Sequence, residues 1–206
     1  MKLDEQQVLA DTRAWLERAV IGLNLCPFAK SVHVKGLVHY AVSAATTPEA
    51  LLEDLLRELR DLADTEASDR DTTLLIAPDA VQDFLDFNDF LALADQALVD
   101  LDLEGVLQIA SLHPHYQFAG TREDDITNFT NRSPYPTLHL LREDSIDRAV
   151  AAFPEPEAIF ETNMRTLEAL GRDGWDALQV GATRRPEAAS GAPATVASST
   201  HEAQEN

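Results

Sequence analysis

The stretch Thr72-Thr73-Leu74-Leu75-Ile76-Ala77-Pro78 decides how the rest of the chain is read. It is short, almost wholly apolar and closed by a proline, which suits a central strand covered on both faces. Such a strand needs helices on either side, and the flanking sequence supplies them. Upstream, Thr47-Pro48 reads as a cap with proline at the first helical position, and Leu52, Leu55, Leu59 and Leu62 form one buried stripe. Downstream, Phe84, Phe87, Leu91 and Leu98 mark a further helix.

Further out the same alternation continues. Before the Thr47-Pro48 helix, Val38, Tyr40 and Val42 alternate with Leu37, His39 and Ala41, which predicts an extended segment. An N-terminal helix precedes it, with Leu9, Leu16, Val20 and Leu23 on one stripe and Pro27 at its end. After the Phe84 helix, residues 105–112 read as a second buried strand, residues 114–135 as a long polar loop and residues 137–141 as a last strand. Two helices follow, near 145–152 and 156–170. After the N-terminal helix the order is β-α-β-α-β-β-α. Helices between strands imply parallel pairs with right-handed crossovers, and the last two strands are open to an antiparallel return. The expected fold is therefore an α/β three-layer sandwich. Its order resembles a thioredoxin-like topology, but the Cys-x-x-Cys of that fold is missing, because the junction reads Ser43-Ala44-Ala45-Thr46-Thr47-Pro48. The redox chemistry of that fold does not transfer.

Composition narrows the partners. A chain of 206 residues suits one domain, and 45% hydrophobic residues can build its core. Sixteen basic against 36 acidic residues leave a net charge of −20, which argues against nucleic acid and against anionic membranes. A single Cys excludes an internal disulfide framework. The acidic N-terminus does not read as a signal peptide and no apolar run is long enough for a bilayer, so a soluble cytoplasmic protein is expected. From 183 to 206 the sequence is mainly Ala, Ser, Thr, Pro, Gly and Glu with Val196 as its one large apolar residue. The expectation is a single domain over 1–182 and a disordered tail over 183–206.

The chemistry concentrates in residues 113–143, which hold three of the six histidines and two of the three tyrosines. Loops as long as 114–135 are usually functional or disordered. His113 and His115 share a face if they lie on a strand, and an antiparallel return brings His139 near them. His113 and His139 are thus the candidate catalytic pair. With His115 and a carboxylate from Asp124, Asp125 or Glu143 they would suit a divalent metal such as zinc or non-haem iron. The blander alternative, which the pattern favours, is one hydrogen-bonded histidine and two surface ones. Arg132 offers a planar fork for a carboxylate or phosphate, with Asn128, Asn131, Tyr135, Tyr116 and Arg142 as further ligand-binding candidates and Arg122 as an assistant. Equally open is that Arg132 pairs with Asp124 or Asp125 and the Asn residues cap turns. Cys26 falls at a helix C-terminus, where the dipole opposes a thiolate, so a buried packing role is expected. His33 and His39, without acidic sequence neighbours, read as structural. Trp15 and Trp175 read as core.

Several motifs in order carry a resemblance. Leu25-Cys26-Pro27-Phe28-Ala29 is followed by His113-Pro114 with Tyr116-Gln117-Phe118-Ala119-Gly120. Thr130-Asn131-Arg132-Ser133-Pro134-Tyr135-Pro136 and Leu138-His139-Leu140-Leu141-Arg142-Glu143 complete the set. Together they resemble the bacterial family called domain of unknown function 1415, over roughly residues 5–180. The resemblance implies a bacterial, stand-alone, cytosolic protein and supplies no reaction or catalytic residue.

Two functional readings compete. The leading one is an enzyme-like protein that binds a small anionic molecule against the 113–143 segment, with or without a metal, using Arg132 as anion clamp. The alternative is a non-catalytic regulatory or protein-interaction module presenting the same loop to a protein partner. Convergent histidines around a concave pocket would favour the first. A flat exposed patch of Tyr116, Phe118 and Tyr135 would favour the second.

Overall fold

The computed structural model describes residues 4–151 and 158–183. Helix α1 (Glu5–Trp15) starts where the Asp4 carboxylate accepts the Gln6 N–H, and it runs on through a π-helical turn at Leu16–Ile21. A short α2 (Ala29–Val34) leads into β1 (Val38–Val42). Helix α3 (Pro48–Asp64) begins as the sequence indicates, with the Thr47 hydroxyl accepting the Ala50 N–H and proline in the first turn. Strand β2 (Thr72–Ile76) is buried at all five positions. Next come α4 (Phe84–Asp100), capped by Asp83, and β3 (Leu107–Leu112). The long connection holds a 3-10 turn at Ile126–Asn131 and ends in β4 (Thr137–Arg142). Helices α5 (Glu143–Ala151) and α6 (Ala158–Ala177) follow, the latter kinked at Gly171, whose φ of 66° suits glycine alone.

The four strands lie in the order β1-β2-β4-β3. β1 and β2 are parallel, and β4 is antiparallel to both its neighbours. β3 therefore points the same way as β2 without touching it, because the last strand inserts between them. β3 is an edge strand and mostly half-buried, where the sequence reading expected burial. It also starts at Leu107, after Gly105 has turned the chain at a φ of 72°.

Alternation along the strands builds two cores. Leu75, Leu138 and Leu140 pack with α3 and α4 on one face. Leu74 and Ile76 pack with Val8, Trp15 and Leu16 of the N-terminal helix and Leu167 and Trp175 of α6 on the other. The result is the expected three-layer α/β arrangement of helices, sheet and helices.

Two local expectations change. The N-terminal helix ends before Pro27, so Cys26 lies in the bend ahead of α2, half-buried, with its carbonyl accepting the Ala29 N–H. The body also extends one residue past the expected boundary. The Thr183 N–H and hydroxyl both donate to buried Asp11, each at 2.7 Å. The remainder of the expected disordered tail lies outside the described residues. Among the described residues no helix is long and apolar enough to cross a membrane.

Candidate functional site

The long connection is folded by its own polar side chains. Asn128 is fully buried at its centre; its carbonyl oxygen accepts the Phe118 N–H at 3.0 Å and the Thr121 hydroxyl at 2.8 Å. Its amide donates to the Arg122 carbonyl at 2.8 Å. Asp125 accepts the Thr127 N–H and hydroxyl and so caps the 3-10 turn. The buried Tyr135 hydroxyl donates to Asp11 at 2.7 Å. Burial raises the Asp11 carboxyl, but its hydrogen bonds from Thr183, Tyr135 and Gln7 outweigh that and hold it below the ordinary carboxylate range. Burial and Asp11 push the Tyr135 phenol up. Asn128 and Tyr135, expected to touch a ligand, are thus committed to the fold.

The histidines separate. His113 has no accessible surface and packs between Phe84 and Phe87, 5.4 and 5.0 Å between ring centroids. Its Nδ1 accepts the His115 N–H at 3.0 Å, so its Nε2 carries the proton and donates to the Val81 carbonyl at 3.3 Å. Burial drives its pKa down to about 4, and the ring is neutral. His139 lies elsewhere. It is the register partner of Leu74 and Ala110, so it shares their face of the sheet. His113, three residues beyond Ala110, falls on the opposite face. The expected shared site of His113 and His139 does not form, and with it goes the His113–His115–His139 metal set. Among the described residues no group of three or more His, Cys, Asp or Glu side chains is placed to hold a metal ion. Of the proposed carboxylates, Asp124 pairs with Arg122, Asp125 caps its turn and Glu143 opens α5. His33 and His39, read as lacking acidic neighbours, face Glu17 at 3.4 Å and Glu58 at 3.7 Å.

The arginines divide into those that only fasten the fold and Arg132, which fastens its loop and has no carboxylate within ion-pair distance among the described residues. Arg142 donates to the carbonyls of Leu62, Thr65 and Arg70, gathering the end of α3 and the chain beyond it, so it is no ligand clamp. Arg132 donates to the carbonyls of Tyr116 at 3.2 Å and Glu123 at 2.7 Å, while its own carbonyl accepts the Trp15 indole N–H. Its guanidinium stacks 4.3 Å from the centroid of Phe129, and Arg172 sits 5.0 Å from the same ring. Arg122 pairs with Asp124 and Arg172 with Asp176, but Arg132 has no carboxylate partner among the described residues. Burial first, then the charge of Arg172, lowers its pKa, and the Glu123 carboxylate partly opposes them.

These groups line a cleft of about 1060 Å³. Arg122, Arg132, Arg172 and exposed His115 face it together with Glu123 and Asp124; Phe129, Trp175 and the segment 180–183 close it. Pro78 and Pro114, just beyond β2 and β3, place the cleft outside the carboxyl ends of those strands. That is where open α/β sheets commonly take their ligands.

A second hollow of about 1080 Å³ lies over the sheet face that carries His139. Leu74, Ala110 and Leu112 floor it, and Trp15, Leu16 and Leu25 wall it. Lys35, Asp71, Arg142 and Arg148 line it at the opposite end of the strands from the cleft. Asn131 borders this hollow rather than the cleft, and its amide donates to the Ser111 carbonyl at 3.4 Å. Tyr116 joins neither. Its ring packs at an angle against Phe84 and edge-on to Phe118.

Sequence reasoning missed Arg172, which looked like one more charge on a terminal helix, and the cavity roles of Thr130 and Cys26. Nothing short of the folded register signals them. A family model described as a protein of unknown function (DUF1415) matches residues 7–177, and the chain belongs to that family. Neither among curated proteins nor among solved structures is there a match.

Proposed function

We propose that this protein binds a small anionic molecule in the cleft at the carboxyl ends of β2 and β3, with Arg132 and Arg172 as its cationic contacts. One observation carries the reading. In a chain of net charge −20, the half-buried guanidinium of Arg132 lacks a carboxylate partner among the described residues and has a second arginine beside it. The charge of exposed Arg172 opposes that of half-buried Arg132, the Glu123 carboxylate offsets this in part, and an anion between the two guanidiniums adds to that relief. Arg132 keeps its Nη1 donors after bonding Tyr116 and Glu123, enough for a fork on a carboxylate or phosphate. His115 at the rim is a group able to move a proton on a molecule held there, which supports the enzyme-like form of the reading. A cytoplasmic setting suits the acidic composition, and the same charge disfavours nucleic acid and anionic membranes as partners.

The interaction-module reading loses its strongest anchor, because Tyr135 is buried against Asp11. The test is calorimetric titration of the full chain with inorganic phosphate, sulfate and a small dicarboxylate such as succinate. Saturable binding of at least one of them, weakened by Arg132→Ala and by Arg172→Ala, supports the reading. Absence of binding, or binding indifferent to both substitutions, overturns it.

A further inference from the structure

The hollow over the sheet carries an inference independent of the arginine cleft. His139 stands at its floor, level with Leu74 and Ala110 in the middle of the sheet. The ring has no hydrogen-bond partner among the described residues, and no charged group acts on it; burial alone governs its titration. The accessible surface it retains faces the cavity. Thr130 also lines the cavity, but its own unpaired hydroxyl is buried away from the cavity surface. Buried polar groups in proteins are almost always hydrogen-bonded, and those left unpaired need a reason. His139, set deep in the floor and opening on a mainly apolar cavity without a protein partner, has its reason if a ligand supplies that partner. The size agrees. About 1080 Å³ is the scale of a small-molecule pocket.

We infer that this cavity binds a small, mainly apolar molecule bearing one hydroxyl or carbonyl oxygen, which hydrogen-bonds His139. The ring is neutral at physiological pH, since burial takes its pKa down to about 4, so it offers one N–H donor and one nitrogen acceptor. A buried carboxylate would meet no charge at His139, which selects a neutral oxygen at that point. The anion cleft and this cavity then serve different chemistry, and loss of one does not entail loss of the other.

The test compares two probes of nearly equal shape, 1-naphthol and naphthalene, titrated into the full chain and followed by probe fluorescence. The expected result is saturable binding of both, with 1-naphthol tighter by about tenfold, the value of one net hydrogen bond in a dry site. His139→Phe keeps a flat, somewhat larger ring and removes both nitrogens, so it should bring the two affinities to within about twofold. Ala110→Phe, on the same floor, should abolish binding of both. In the unsubstituted protein, 1-naphthol should shift the ring-proton resonances of His139 and leave those of His113 in place. That readout decides the matter if a variant fails to fold. No saturable binding, a naphthol preference that survives His139→Phe, or a His139 resonance unmoved at saturation overturns the inference.

Discussion

Two hollows of almost equal volume, about 1060 and 1080 Å³, differ in every other respect. The cleft at the strand ends is built by side chains that have already satisfied the loop around it. Asn128 holds Phe118, Thr121 and Arg122; Arg132 holds Tyr116 and Glu123 and keeps donors in reserve. The cavity over the sheet is built by apolar packing, and His139 on its floor is left unmatched. The wall between them is thin: Thr130 and Asn131 line the cavity while Arg132 and Ser133 line the cleft, and Trp15 bonds the Arg132 carbonyl from the cavity side. A polar site can be assembled from loop residues that fasten themselves. An apolar one depends on register and on three elements meeting.

The two buried histidines sharpen the contrast most strongly. Both have folded pKa values near 4, against about 6.5 in the unfolded chain. Between those values the unfolded chain takes up protons that the folded chain refuses. Stability is therefore full above about pH 6.5 and falls as the pH drops towards 4. Each histidine contributes a loss on the order of 2–3 kcal/mol, about 5 together. Chemical denaturation at stepped pH values should show this decline. His139→Phe should remove about half of it at little loss of stability at pH 7, since that ring has no protein partner. His113→Phe should destabilise at every pH, because it leaves the Val81 carbonyl and the His115 N–H unpaired. Equal behaviour of the two variants would erase the distinction drawn between them.

The strands and the helices on both faces of the sheet were legible in hydrophobic periodicity, which reports burial directly; the antiparallel β3–β4 return was left open, and the implied parallel pairing of β2 with β3 is replaced by β4 between them. What failed was register. The parity that sends His113 to one face and His139 to the other depends on pairing Ala110 with His139, and a connection of this length hides that pairing. Arg132 was legible as a loop fork in an acidic chain. Arg172 was not, because only the kinked α6 brings it to Phe129. Asn128 and Arg142 show the reverse error. Their donors advertise binding, and the fold consumes them.

Removing the shared wall attacks both hollows at once. Trp15→Ala deletes a buried indole and its bond to the Arg132 carbonyl. The expected loss is about 3 kcal/mol in denaturant unfolding, with weaker phosphate and weaker 1-naphthol binding in the same preparation. If only one binding falls, the wall serves that hollow alone.

Arg132→Lys probes the cleft without touching the cavity. The charge remains, but an ammonium cannot reach the Tyr116 and Glu123 carbonyls and an anion in one plane. Anion affinity should fall about tenfold, close to the effect of Arg132→Ala, while naphthol binding is unchanged. A Lys variant that binds anions normally reduces Arg132 to a diffuse charge.

The smallest expected effect lies at the edge of the cleft, where Thr183 closes it. Asp11 is a buried carboxylate held by four hydrogen bonds, two of them from Thr183. Thr183→Val keeps the shape and the backbone N–H and deletes one of the four. The carboxylate stays ionised on the remaining three, so the loss should be about 1 kcal/mol, a shift of a few degrees in Tm. Ending the chain after Ala182 removes the N–H as well and should lose more than the valine variant; ending it after Thr183 should restore both bonds. The order of the three melting temperatures matters more than their size. If truncation after Ala182 melts with truncation after Thr183, the Asp11 bonds contribute nothing, and Thr183 is a bystander at the cleft rather than its fastening.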